Sequence, residues 1–197
     1  MHFFGNAIDR FRLRREKLPP HVSRHKEHGL VYIKEDSFAC TVNQIDEPSG
    51  DGFLEFLTDA ETQGSYLLEL NEQFPGLFPA MYGFTDSDKK GYIMEYIPGP
   101  TLSDYADSGH EVPTELLHEI FTARDQLHEA GYAHGDFKTN NVILRLNTEG
   151  RATGFRFIDP VPPVVTNTDR MRTREDLVDI LQSHDLSRSS EWEESLR

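Results

Sequence analysis

The sequence predicts an α+β fold in two lobes. Strand-like runs with one helical stretch fill the first half of the chain. Helices with a single hairpin fill the second half, and Pro98-Gly99-Pro100 stands between the two. Runs of strands followed by runs of helices indicate segregated layers rather than an alternating parallel sheet. A length of 197 residues suits one domain with two small lobes. The expected division is a basic segment over 1–29, a strand-rich lobe over 30–97, a reduced helical lobe over 98–186 and a polar tail over 187–197.

Pro19-Pro20 stops the first segment, because the residue before a proline disfavours helix. Gly29 to Lys34 and Phe38 to Ile45 read as strands, and Asp46 to Gly52 as a turn. The apolar spacing from Phe53 to about Asn71 predicts a helix, with Gly64-Ser65 as its weak point. Ala80 to Phe84 and Tyr92 to Ile97 read as strands around the polar turn Asp86 to Gly91. Thr101 is placed to cap a short helix, and Thr114 a longer one from Glu115 to Ala130. Val142 to Leu146 and Phe155 to Ile158 form a hairpin around Asn147 to Gly150. A final helix runs from Thr173 to about Ser183, with Leu177, Val178, Ile180 and Leu181 inward, and Ser187 to Arg197 is expected to fray.

Composition narrows the function. Hydrophobic residues make up 37% and charged residues 27% of the chain, which excludes wholesale disorder. Net charge is −14, so neither nucleic acid nor an anionic membrane is an expected partner. The charge is uneven: residues 1–34 hold 8 Lys/Arg and 3 Asp/Glu, net +5, and the rest carries −19. That basic head either docks on the acidic body or borders an anion site. The single cysteine, Cys40, excludes a disulfide framework and reads as a core thiol. No apolar run reaches the ~20 residues of a membrane span, and the N-terminus lacks a signal-peptide core. The expectation is a cytoplasmic chain. His21, His25 and His28 read as solvated or packing residues.

The most informative segment is His134-Gly-Asp-Phe-Lys-Thr-Asn-Asn141, between a helix and a strand, followed at the end of the next strand by Phe157-Ile-Asp159-Pro160. Asp136, Asn141 and Asp159 are hard oxygen donors that two adjacent strands bring to one edge, and Mg²⁺ takes such donors together with waters and phosphates. A carboxylate not engaged by metal can orient a hydroxyl, and a lysine two residues along can neutralise a phosphoryl oxygen. The competing reading is a polar turn with capping Asp and Asn residues.

These residues resemble the protein-kinase-like superfamily: HGDFKTNN matches H-x-D-x-K-x-x-N, and Asp159 stands where the Asp of D-F-G belongs. The resemblance implies a minimal two-lobe kinase fold with a truncated C-lobe. It implies that Asp136 is the catalytic base, Lys138 a contact to the transferred phosphate, and Asn141 and Asp159 the Mg²⁺ ligands. His134 would brace the loop. Val31-Tyr-Ile-Lys34 resembles the V-A-I-K strand whose lysine grips the α and β phosphates of ATP. Its ion-pair partner would be Glu61, with Glu55 as the alternative. Tyr92 to Gly99 resembles the last strand and hinge, with Met94 as gatekeeper and the backbone of Glu95, Tyr96 and Ile97 bonding adenine. Asp176 or Asp179 would brace the catalytic loop.

Departures matter too. No G-x-G-x-x-G precedes Lys34, so the usual backbone cradle over phosphate is absent from the pattern; Arg10, Arg12, Arg14 and Arg15 could supply charge instead. Gly135 replaces an arginine, as in RIO kinases, the KEOPS-complex kinase and aminoglycoside phosphotransferases. Pro160-Val161 follows Asp159, and no A-P-E motif is visible. In size the chain resembles the KEOPS-complex kinase and compact bacterial effector kinases, so a secreted effector acting in a host cytosol is the alternative location. The resemblance implies an ATP- and Mg²⁺-dependent phosphotransferase. Lys138 points to protein Ser/Thr substrates, and a regulatory protein partner is compatible. The alternatives are a catalytically inactive kinase-fold binding protein, prompted by the missing glycine loop, and a small-molecule kinase.

Overall fold

The computed structural model describes residues 18–19, 21–35, 38–43, 53–85, 91–162 and 174–195. Arg10, Arg12, Arg14 and Arg15, the turn over 46–52, the side chain of Cys40 and those of Leu177 and Ile180 lie outside the described residues. The first lobe is built on an antiparallel four-stranded sheet in the order β1-β2-β6-β5. Its strands are β1 (Val22–His25), β2 (Gly29–Glu35), β5 (Met81–Phe84) and β6 (Gly91–Glu95). A separate ribbon pairs β3 (Phe38–Asn43) with β4 (Phe53–Thr58). Helix α1 (Ala60–Gln73) follows.

Two expectations fail here. The stretch 53–58 is a strand, and the helix starts at Ala60. Apolar residues at 53, 54, 56 and 57 fit either period, and two local features decide the outcome: a partner strand is available at 38–43, and Asp59 caps the helix by accepting from Thr62 N–H at 2.7 Å. Gly64 does not divide α1. It is buried, and a Cβ there would meet the Phe84 ring at 2.8 Å, so its role is to let β5 approach. Strand β1, not among the expected strands, pairs in register with β2 from Val22↔Tyr32 to His25↔Gly29. Around it His28 stacks on Tyr82 at 4.0 Å and on His25 at 4.8 Å, a packing role.

The second lobe holds α2 (Leu102–Asp107), α3 (Thr114–Glu129), the hairpin β7 (Val142–Leu146) and β8 (Ala152–Phe157), and α4 (Arg174–Ser195). Thr101 and Asp104 form a reciprocal capping box on α2. Thr114 is the first residue of α3 rather than its cap, a position taken by Pro113. Helix α4 extends twelve residues beyond the expected Ser183. The tail over 187–195 is therefore helical rather than frayed, because Leu181, His184, Asp185 and Trp192 fall on one face at near-turn spacings and all four are buried. Trp192 stacks on Phe137 at 4.4 Å. Among the described residues no helix is long and apolar enough to cross a membrane.

The lobes are tied by hydrogen bonds as well as by the linker. Tyr66 on α1 donates to Ala133 O at 2.7 Å, and Tyr132 donates to Glu69 at 3.1 Å. Phe157 N–H donates to Leu77 O at 3.0 Å. At the linker a Cβ on Gly99 would lie 2.1 Å from Leu144 O, so glycine alone fits where the chain passes over β7.

Candidate active site

The β7–β8 hairpin creates the site. Its register sets Val142 opposite Phe157, so the residue before β7 and the residues after β8 emerge at the same end. One further bond extends the pairing: Ile158 N–H donates to Asn141 O at 2.9 Å. The backbone of Asn141 is thereby tied to the residue that precedes Asp159. The segment 139–141 forms a 3₁₀ turn that brings Asn141 back over Asp136. Asn141 Nδ2 donates to both the Asp136 carbonyl and Asp136 Oδ2 at 2.8 Å. Lys138 Nζ donates to the same Oδ2. The hydrogen bonds to this carboxylate thus converge on Oδ2, which leaves Oδ1 with no protein donor among the described residues.

Asp159 takes a left-handed backbone conformation, φ 55°, uncommon for a side chain with a Cβ and costing about 1–3 kcal/mol. Its Oδ1 accepts from Lys34 Nζ at 2.7 Å across the cleft; the lysine side chain is 9% exposed and the carboxylate 46%. The predicted contact residue Lys34 is therefore at the site. Sequence reasoning gives it the partner Glu61 or Glu55; the ion pair to Asp159 across the cleft is one that reading did not include. Glu61 lies exposed in the first turn of α1, and Glu55 is in β4, its side chain outside the described residues. The inward position of that turn is Gln63, which accepts from Tyr92 Oη at 3.4 Å, and Tyr92 is the cross-strand neighbour of Lys34. Gln63 is not an acid, so the motif does not point to it; the buried face of α1 through Ala60, Gln63, Gly64 and Leu67 does.

Met94, the expected gatekeeper, is buried on β6. The linker is only partly free for a ligand. Glu95 N–H donates to Ala80 O at 2.8 Å and Tyr96 N–H to Leu30 O at 3.5 Å, so of the three backbone donors suggested for adenine, Ile97 N–H is the one with no such bond among the described residues. The Glu95 carboxylate braces the lobes, accepting from Arg156 at 3.1 Å and Ala80 N–H at 3.2 Å.

The loop is anchored from below by a residue that sequence reasoning missed. Fully buried Asp185 on α4 accepts from His134 N–H at 2.9 Å and Phe137 N–H at 3.3 Å, and meets His128 Nε2 at 3.2 Å. Of the expected braces, Asp179 is exposed, and the side chain of Asp176 lies outside the described residues. Asp185 lies beyond the Ser183 end that the apolar pattern predicts for α4, so no motif in the sequence points to it. His134 is fully buried among Phe78, Phe137 and Phe157. Burial holds its imidazole below the usual pKa despite Asp185, Asp136 and Asp159 nearby, which suits a neutral structural ring.

Gly135 explains the missing arginine. It sits at φ 76°, and a Cβ there would lie 2.6 Å from Val161 O, where Val161 N–H is bonded to His134 O at 2.7 Å. Gly135→Ala combines left-handed strain with a backbone clash, so a loss of about 2–4 kcal/mol in urea unfolding is expected.

The donor set suits magnesium. Among the described residues no three His, Cys, Asp or Glu side chains converge as a protein-only metal cage. A Mg²⁺ ion held by one carboxylate and one amide, with water and phosphate completing its shell, needs none. Asn141 is oriented through its Nδ2, which leaves Oδ1 as a ligand, and Asp159 keeps Oδ2.

The two-lobe α+β architecture, the lysine–aspartate pair across the cleft and the Asp136–Asn141–Asp159 cluster together define a protein-kinase-like fold. Part of the chain is similar in sequence to known protein kinases. Serine/threonine-protein kinase D of Synechocystis sp. is 31% identical over 86 residues, 43% of this chain and 17% of that protein. Serine/threonine-protein kinase Warts of Drosophila melanogaster is 30% identical over 86 residues, 39% of this chain and 8% of that protein. The chain thus spans under a fifth of the length of these relatives. Among solved structures, Rad53 1–466 in complex with AMP-PNP gives a TM-score of 0.43 at 19% identity, covering 72% of this chain and 38% of that one. The bifunctional kinase-methyltransferase WbdD gives 0.38 at 22%, covering 73% and 34%. No protein-family model matches the chain.

Proposed function

We propose that this chain is a kinase, transferring the γ-phosphoryl group of ATP with Mg²⁺ to a serine or threonine hydroxyl of a protein. The observation that carries the reading is the Asp136 carboxylate, gripped on Oδ2 by Lys138 and Asn141 beside an Asp159 that meets Lys34 across the cleft. Asp136 Oδ1 is the atom suited to orient the substrate hydroxyl and take its proton as the new O–P bond forms and ADP leaves. Lys138 is near enough to neutralise charge on the transferred group, and Lys34 to hold the nucleotide's phosphates. Magnesium bound by Asn141 and Asp159 would neutralise phosphate charge. Most of the acceleration in such a transfer comes from positioning and fixed charge. The kinase names of the relatives and the presence of Lys138 favour protein over small-molecule substrates.

The test is transfer of labelled γ-phosphate to a mixed protein substrate with Mg²⁺. Wild type is expected to incorporate label and Asp159→Ala to lose at least 100-fold, an effect on the scale of a lost electrostatic stabiliser. Equal incorporation by both would overturn the reading.

A further inference from the structure

We infer that Trp192 is a positioning residue for phosphoryl transfer, acting through the ring of Phe137 to hold Asp136 and Lys138 in place; the inference rests on the kinase reading above. Phe137 is the residue between those two. Neighbouring side chains in an extended segment point to opposite sides, and Lys138 is extended, with φ −149° and ψ 161°. Phe137 is fully buried, whereas Asp136 and Lys138 keep part of their side-chain surface and meet at Asp136 Oδ2. A rotation of the chain at Phe137 therefore carries both of the groups proposed to act at the transferred phosphoryl.

Helix α4 holds Phe137 at two points. Asp185 accepts from its backbone N–H at 3.3 Å. Trp192 follows Asp185 on α4 by about two turns, on the same helix face. Its ring lies nearly parallel to that of Phe137, with centroids 4.4 Å and planes 16° apart. Phe121 on α3 joins both rings, 5.5 Å from Trp192 and 6.4 Å from Phe137. The Arg124 guanidinium lies 5.1 Å from the Phe121 ring and 5.7 Å from that of Phe137. The hydrogen bond fixes where the backbone of Phe137 lies; the stacked ring fixes its rotation about that bond. Among the described side chains of α4 beyond Asp185, Trp192 alone is buried, so this one ring links that part of the helix to the loop. Stacked aromatic pairs gain more than their buried area supplies. An aliphatic side chain at 192 would fill space yet offer no flat face to Phe137.

Steady-state kinetics of the full chain carrying Trp192→Leu or Trp192→Phe test this, with urea unfolding to establish that each variant is folded at the assay temperature. Trp192→Leu is expected to lower kcat about 10- to 100-fold, the scale of a slightly misplaced catalytic group, with KM for ATP unchanged. Trp192→Phe keeps a ring to stack and is expected to retain most of the wild-type kcat. A folded Trp192→Leu with wild-type kcat, a loss of kcat matched by a rise in KM for ATP, or equal losses in the two variants would overturn the proposal while leaving the kinase reading intact. If Trp192→Leu does not fold, fluorescence decides, because Trp192 is the sole tryptophan of the chain. Asp136→Asn changes the bond to Lys138 on the other side of Phe137 and is expected to shift the Trp192 emission; an unchanged spectrum would overturn the proposal. Wild type that transfers no phosphate to protein would overturn the kinase reading and this proposal with it.

Discussion

Asp136→Ala is expected to lower the rate of phosphoryl transfer by about 10²- to 10⁴-fold, the range of a lost general base, with little change in nucleotide affinity. The carboxylate holds Lys138 and Asn141 through Oδ2, and none of its contacts is to Lys34 or Asp159. Removing it takes away the group that orients the hydroxyl while the lysine–aspartate pair across the cleft remains. Asp136→Asn is the sharper variant. It preserves volume and the capacity to accept from Asn141, yet it cannot take a proton. Steady-state kinetics should show kcat falling and KM for ATP nearly constant. A parallel fall in ATP affinity would mean that Asp136 acts by holding the site together.

Asp185→Ala should have the largest effect on stability, about 3–5 kcal/mol in urea unfolding. The substitution leaves the buried N–H groups of His134 and Phe137 without acceptors and His128 without its carboxylate, and breaking a buried charged network costs on that scale. Asp185→Asn should recover part of the loss, because one acceptor oxygen remains. Amide hydrogen exchange at His134 and Phe137 distinguishes this from general weakening: protection there should fall more than in β2 or β6.

Much of the site was legible because its residues lie close in sequence. His134 to Asn141 form one loop, and Asp159 follows the strand that pairs with the strand after that loop, so spacing alone brings Asp136, Asn141 and Asp159 together. The linker at Pro98-Gly99-Pro100 was legible from its composition. Long-range partnerships were not. Lys34 faces Asp159, 125 positions away, and nothing local distinguishes that acid from Glu61. Asp185 was hidden because the polar tail masks a helix that buries only a few widely spaced side chains. The stretch 53–58 carries apolar spacing that fits both periods, and the partner strand at 38–43 resolves it.

In the proposed function Asn141 and Asp159 share one divalent ion with a nucleotide beside Asp136. Electron paramagnetic resonance of Mn²⁺ in place of Mg²⁺, with and without ATP, tests it most directly. Wild type should immobilise Mn²⁺ in the presence of ATP, and Asn141→Ala and Asp159→Ala should each weaken that binding at least 10-fold, in line with loss of one of two protein ligands. Mn²⁺·ATP binding that neither substitution alters would contradict the account.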